Sequence, residues 1–212
     1  WTLNGENISA HGTANVPAEL SLYPFDFRLR EVQPMTGTVY ADAAVMPEAL
    51  MLRQPWMPPG RTVVDISAGG TINHPVLDCD LQWTATEPAE QEKESGALRA
   101  AIQARYDDGH ASLKASAAAG ERSLLECSGG ASMTLAFAPF RCRILPDKPV
   151  KGKLELSLGV SRLGRYLPNA VPDVSGVVTG HATVSGTART PRVTAALTGE
   201  KLKVDSLAAG ES

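Results

Sequence analysis

The chain has 212 residues, 43% hydrophobic and 20% charged, with a formal net charge of −3 and a pI near 5.8. No basic stripe is present, which argues against nucleic acid as a partner, and no apolar run approaches the ~18 residues that would span a membrane. Cys79, Cys127 and Cys142 form no CxxC or Cys/His cluster, so a zinc site is not expected.

In chain order, the opening Trp1-Thr2-Leu3, without an initiator Met, reads as a segment cut from a longer parent. Leu20 and Leu22 alternate; Pro24 intervenes, and Phe25, Phe27 and Leu29 then alternate on the opposite parity. A parity change at a proline predicts a bulge or bend, because Pro cannot donate to a ladder. Val39, Ala41, Ala43 and Val45 recur at period two, the signature of a strand with one apolar face. Residues 46–54 are a helical candidate of one or two turns. Gly70-Thr71 to Pro75 is a GTxxxP turn, followed by Leu77, Cys79 and Leu81 in alternation. The polar stretch 87–96 (EPAEQEKESG) reads as a solvated loop. Segments 98–106 and 110–118 predict a hairpin around Asp107-Asp108-Gly109, with Leu98, Ala100, Ile102 and Ala104 on one face. Gly129-Gly130 predicts a turn before a strand at 131–137. Leu154, Leu156, Leu158 and Val160 alternate, 161–167 is the second helical candidate, and Val193, Ala195 and Leu197 alternate after a second GTxxxP, Gly186 to Pro191. Lys201 and Lys203 alternate with Leu202 and Val204, as an exposed strand would.

These elements repeat. At an offset of 115, Leu20 meets Leu135, Pro24-Phe25 meets Pro139-Phe140, Arg28 meets Arg143, Pro34 meets Pro149 and Gly37 meets Gly152. After a one-residue insertion, at 116, Gly60 meets Gly176, Gly70-Thr71 meets Gly186-Thr187, Pro75 meets Pro191 and Leu81 meets Leu197. The apolar parity agrees within each matched segment. The sequence therefore predicts antiparallel strands with one apolar and one polar face. Residues 1–97 form a first β repeat with a polar loop at its end, and residues 98–212 form a hairpin and second repeat of the same structure. A third GTxxxP, Gly12 to Pro17, is out of register with this repeat.

The second copy, KGKLELSLGVSRLGRYLP (151–168) followed by VPDVSGVVTGHATVSGTARTPRVTAALTG (171–199), resembles the repeats of TamB and its AsmA-like relatives. Their pattern is a Gly-led alternating strand, a short helical piece ending in Leu-Pro, another Gly-led strand, then GTxxxP and a further strand. The first copy departs from it at 46–60, where MPEALMLRQPWMPPG is Met- and Pro-rich. The resemblance covers about residues 16–205. It implies an elongated all-β taco, a U-shaped antiparallel sheet with an apolar concave groove and very little helix. It also implies a periplasmic location in a diderm bacterium, with the parent anchored in the inner membrane. Its implied roles are carrying phospholipid between the two membranes and assisting outer-membrane biogenesis with a β-barrel partner of the TamA type.

The groove is assigned to Val39, Ala41, Ala43, Val45, Leu154, Leu156, Leu158, Val160, Val193 and Leu197, with Asp42, Glu155 and Ser157 facing outward. Acyl chains would gain roughly 0.8 kcal/mol per buried methylene there. No enzyme, metal or cofactor is expected. Glu126-Cys127-Ser128-Gly129-Gly130 faintly resembles a nucleophile loop but has no aligned base; the four histidines are scattered; Lys148, Lys151 and Lys153 read as a solvated strand face. The cysteines read as small buried residues, with a Cys127–Cys142 bridge left open. The alternative function is a scaffold that captures a client or barrel strand by β-augmentation. Unpaired strands near residues 1–10 or 201–207 would favour an edge-strand dimer.

Overall fold

A computed structural model describes residues 1–44, 60–85, 97–137, 139–159 and 174–204. The described residues hold fourteen strands and no helix: β1 (Thr2–Asn4), β2 (Ile8–Asn15), β3 (Ala18–Leu22), β4 (Phe25–Leu29), β5 (Thr36–Ala43), β6 (Gly60–Gly70), β7 (Pro75–Ala85), β8 (Leu98–Asp107), β9 (His110–Ala119), β10 (Arg122–Phe137), β11 (Phe140–Ile144), β12 (Val150–Gly159), β13 (Val174–Gly186) and β14 (Pro191–Val204). Twelve of them form one antiparallel sheet, ordered β1-β2-β5-β6-β7-β8-β9-β10-β12-β13-β14, with β11 attached to β10. The sheet does not close into a barrel. It is elongated and taco-like, and β3 and β4 form a separate pair. The helical candidates at 46–54 and 161–167, the loop at 87–96, and groove residues Val45 and Val160 lie outside the described residues.

The pairing repeats at the offset read from the sequence. Gly12 pairs with Val39, and Cys127 with Leu154. Ala41 pairs with Val64 and Val64 with Leu81; Leu156 pairs with Gly180 and Gly180 with Leu197. Isolated bridges join Pro34 to Thr71 and Pro149 to Thr187.

The GTxxxP motif is a turn device. Gly70 and Gly186 sit at φ +77° and +94°, where a Cβ would lie 2.3 Å from the His74 carbonyl oxygen and 2.6 Å from that of Thr190. Only glycine fits such a position. The threonine hydroxyl then accepts the N–H three residues on, His74 to Thr71 Oγ1 at 3.1 Å and Thr190 to Thr187 Oγ1 at 3.2 Å. Proline opens the next strand, where a missing donor costs least. The Gly12 version is no such turn; its first four residues, Gly12 to Asn15, lie within β2.

The β8–β9 hairpin turns through Asp108 and Gly109, with φ +44° and +74°, and pairs Asp107 with His110. Both central residues have positive φ, as a two-residue turn requires.

Two expectations are corrected. The parity change at Pro24 is a hairpin turn, not a bulge or bend: Leu22 pairs with Phe25, and Phe137 with Phe140 in the second copy. Reversal of the chain across a two-residue connection shifts parity as a bulge would, which is why the pattern alone misled. Gly129-Gly130 is no turn either. Both lie inside the sixteen-residue β10, paired with β9 and β12. A Cβ at Gly130 would stand 3.0 Å from the His110 ring, so the glycine marks a close approach in a strand interior.

Candidate functional site: an apolar trough

Opposed residues in a ladder share a face, so the register can be followed across the whole sheet. One row runs Leu3, Ala10, Ala41, Val64, Leu81, Ile102, Ala115, Cys127, Leu154, Ala182, Ala195. It crosses all eleven strands of the main path without one polar side chain. The row beside it passes through Val39, Ile66, Leu113, Val184 and Val193, and the row on the other side through Ala43, Trp83, Leu125, Leu156 and Leu197. The exception is Thr62, between Ala43 and Trp83; its buried hydroxyl has no hydrogen-bond partner. At about 4.8 Å per strand, eleven strands carry the apolar face over roughly 48 Å.

This face has no second sheet packed on it among the described residues, and its middle is open. Ile102 is 40% exposed and Leu113 44%. The margins are buried: Trp83 is 4% exposed at one, and Ile72, Met35, Tyr106 and Leu135 are buried at the other. The second margin is built by the end of β10, which curls over the apolar side. Gly109 accepts from the Met133 N–H at 2.9 Å, Tyr106 Oη from the Leu135 N–H at 3.1 Å, and Ile72 from the Phe137 N–H at 3.0 Å. Tyr106 belongs to the apolar face through its pairing with Leu77. We call this open floor between buried margins the trough; the hollows of the sheet lie on its other face.

The opposite face is mainly polar, and several of its charges pair with neighbours. Arg61 Nε donates to Asp42 at 2.9 Å, and this ion pair holds the Asp42 carboxyl below its usual value. Asp80 accepts from Gln82 at 3.1 Å and Gln103 at 2.9 Å. Lys153 donates to Glu155 and holds that carboxyl low as well. Hollows of about 590, 440 and 420 Å³ lie on this side, the first among Tyr40, Asp65, Asp80, Gln103, Arg105 and Lys114, the second at Glu126, Glu155 and His181, the third at Lys114, Ser128 and Lys153. A strongly twisted sheet is saddle-shaped, so each face is hollow along one diagonal; here the carboxylates of Asp78 and Asp80 already have partners.

The structure brings Val39, Ala41, Ala43, Leu154, Leu156, Leu158, Val193 and Leu197 onto the apolar face, with Asp42, Glu155 and Ser157 on the polar one. Sequence reasoning left the centre out of the assigned set: Ile66, Leu81, Ile102 and Leu113 form the open floor. The alternation in 98–106 carried the signal, but its alignment with the other strands needs the register. Cys79 and Cys127 are also on this face and all three cysteines are free, so the open Cys127–Cys142 bridge does not form. None of the three is buried as expected: Cys79 and Cys127 are half-buried, and Cys142 is exposed on β11.

The geometry defines a class: among the described residues, a single-layer, open antiparallel sheet with one apolar face, interrupted at Thr62, and one mainly hydrophilic face. No family model, curated protein or solved structure matches the chain.

Proposed function

We propose that this chain is a lipid-conducting stretch of a periplasmic, TamB-like bridge protein whose parent is anchored in the inner membrane. In this reading the trough shelters phospholipid acyl chains in transit to the outer membrane, and a β-barrel partner of the TamA type receives the far end of the parent. The observation that carries it is the Leu3-to-Ala195 row, apolar in every strand and open at Ile102. An apolar surface that broad is left in water only where something else covers it. Aliphatic chains suit it because they ask for no hydrogen bond and gain roughly 0.8 kcal/mol per buried methylene. Among the described residues the open floor at Ile66, Leu81, Ile102 and Leu113 presents no polar side chain that would fix one headgroup, which fits a conduit better than a storage pocket. The sequence resemblance to TamB repeats supports the same reading.

The test is site-specific photocrosslinking in cells, from Leu156 on the trough side and Glu155 on the polar side as control. Phospholipid adducts at 156 with few at 155 are the expected result. Equal labelling at both, or adducts to protein alone, would overturn the conduit in favour of a scaffold for outer-membrane protein assembly.

A further inference from the structure

The two ends of the main sheet differ. β1 has three residues, and the Trp1 ring lies over Gly12, where an added Cβ would meet it at 2.8 Å. β14 has fourteen residues, and every side chain from Pro191 to Lys203 is exposed, Val193 at 66% and Leu197 at 74%. No described strand pairs with its outer edge.

The internal repeat says what belongs there. β14 pairs with β13 as β7 pairs with β6: Gly186 with Pro191 as Gly70 with Pro75, Gly180 with Leu197 as Val64 with Leu81, Val177 with Glu200 as Arg61 with Thr84. The outer edge of β7 is filled by β8, which pairs Tyr106 with Leu77, Ala104 with Cys79, Ile102 with Leu81 and Ala100 with Trp83. At the far side of β8 stands β9, which pairs with β10 as β1 pairs with β2. Among the described residues, the edges of the main sheet therefore correspond to the two strands that flank β8 in its centre, each without that neighbour.

We propose that the outer edge of β14 is a docking site for one antiparallel strand with the residue pattern of β8. Placed in the β7–β8 register, the guest's Tyr, Ala and Ile at the positions of Tyr106, Ala104 and Ile102 meet Val193, Ala195 and Leu197. They extend the apolar face by one strand. On the polar face the guest's Arg at the position of Arg99 falls opposite Glu200, where β7 offers only Thr84. The dock ends there: Lys201 has φ +52° and the register with β13 shifts nearby, so the edge beyond it no longer continues the ladder. Pairing through this edge is head-to-tail in kind. It extends the sheet rather than closing a twofold dimer. The site is the backbone edge and does not depend on acyl chains occupying the trough.

The test uses the whole 212-residue chain and a fluorescent synthetic peptide with the sequence of residues 98–107. Fluorescence anisotropy measures binding, and hydrogen exchange locates it. Saturable binding is expected, with new amide protection at 191–200. A shuffled peptide of the same composition without alternation binds weakly. Leu197→Lys, at a side chain exposed enough to leave the fold intact, weakens binding about tenfold or more, as inward charges blunt natural edges; circular dichroism confirms its fold, and Leu197→Ile retains binding. Equal binding of the shuffled peptide, protection at β1 or β2 instead of β14, or indifference to Leu197→Lys would overturn the proposal.

Discussion

The two hairpins related by the repeat, β3–β4 and β10–β11, begin alike and end in different surroundings. In each, the same backbone bond closes the base: the Arg30 N–H donates to Pro17 O at 2.9 Å, and the Leu145 N–H to Ser132 O at 2.9 Å. In the first copy the sheet strand β2 stops at Asn15, ahead of Pro17, and β3–β4 stands as its own two-stranded sheet. Proline has no N–H to continue a ladder and restricts the residue before it. In the second copy Ser132 occupies that place, β10 runs unbroken from Arg122 to Phe137, and the hairpin becomes an extension of the main sheet. There it also meets Tyr106 and Ile72. The contrast teaches that one local motif becomes a wall of the trough only where a continuous strand carries it to distant partners.

The largest expected effect that sharpens this contrast is on packing. Leu135 is buried in the second hairpin, so Leu135→Ala should lower unfolding free energy by about 2–4 kcal/mol in urea titration. Leu22→Ala in the first hairpin, at a side chain 78% exposed, should change it by no more than about 0.5 kcal/mol. Comparable losses at both sites would mean that the first hairpin is anchored after all.

A smaller effect tests the distant anchor. Tyr106→Phe leaves the Leu135 N–H without its acceptor and should cost about 1–2 kcal/mol, with faster amide exchange confined to residues 133–137. Unchanged exchange there would remove Tyr106 from the account of the wall.

The smallest effect distinguishes the repeats by pH. Arg61 bridges β6 to Asp42 on β5, while the matching positions of the second copy hold Val177 and Ser157. The Asp42 carboxyl is held below its usual value by that hydrogen bond and charge. Its contribution is therefore complete above an unfolded pKa of about 3.9 and is lost as pH falls through the lower folded value. Because the pair is solvated, the gain should be small. The difference in urea midpoint between the unmodified protein and Asp42→Asn should shrink between pH 6 and pH 3. A difference that stays constant would assign the effect to packing.

Period-two alternation was enough to place Val39, Ala41 and Ala43 on one face and Leu154, Leu156 and Leu158 with them, because a strand allows a side chain only two directions. The positive-φ turn at Asp108-Gly109 was legible for the same local reason. What escaped was which residues pair, locally at one turn and over distance elsewhere. The pairing of Leu22 with Phe25 could not be told from a bulge by parity. The Gly129-Gly130 pair reads as a turn until the His110 ring beside it is known. The Tyr106–Leu135 bond joins residues 29 apart with no motif at either end. The open floor at Ile102 and Leu113 emerges only when every register is laid side by side.

The unbroken row from Leu3 to Ala195 has a mechanical consequence. An aliphatic guest lying across the strands and displaced by one strand spacing, about 4.8 Å, exchanges one set of hydrocarbon contacts for another of the same kind. No carboxylate or hydroxyl along that row acts as a detent, so the energy profile for sliding is shallow while the profile for lifting out is steep. In the proposed lipid-conducting role such a surface would work as a rail: it would confine cargo sideways and leave it free lengthwise, and the direction of travel would be set by whatever loads and unloads the ends.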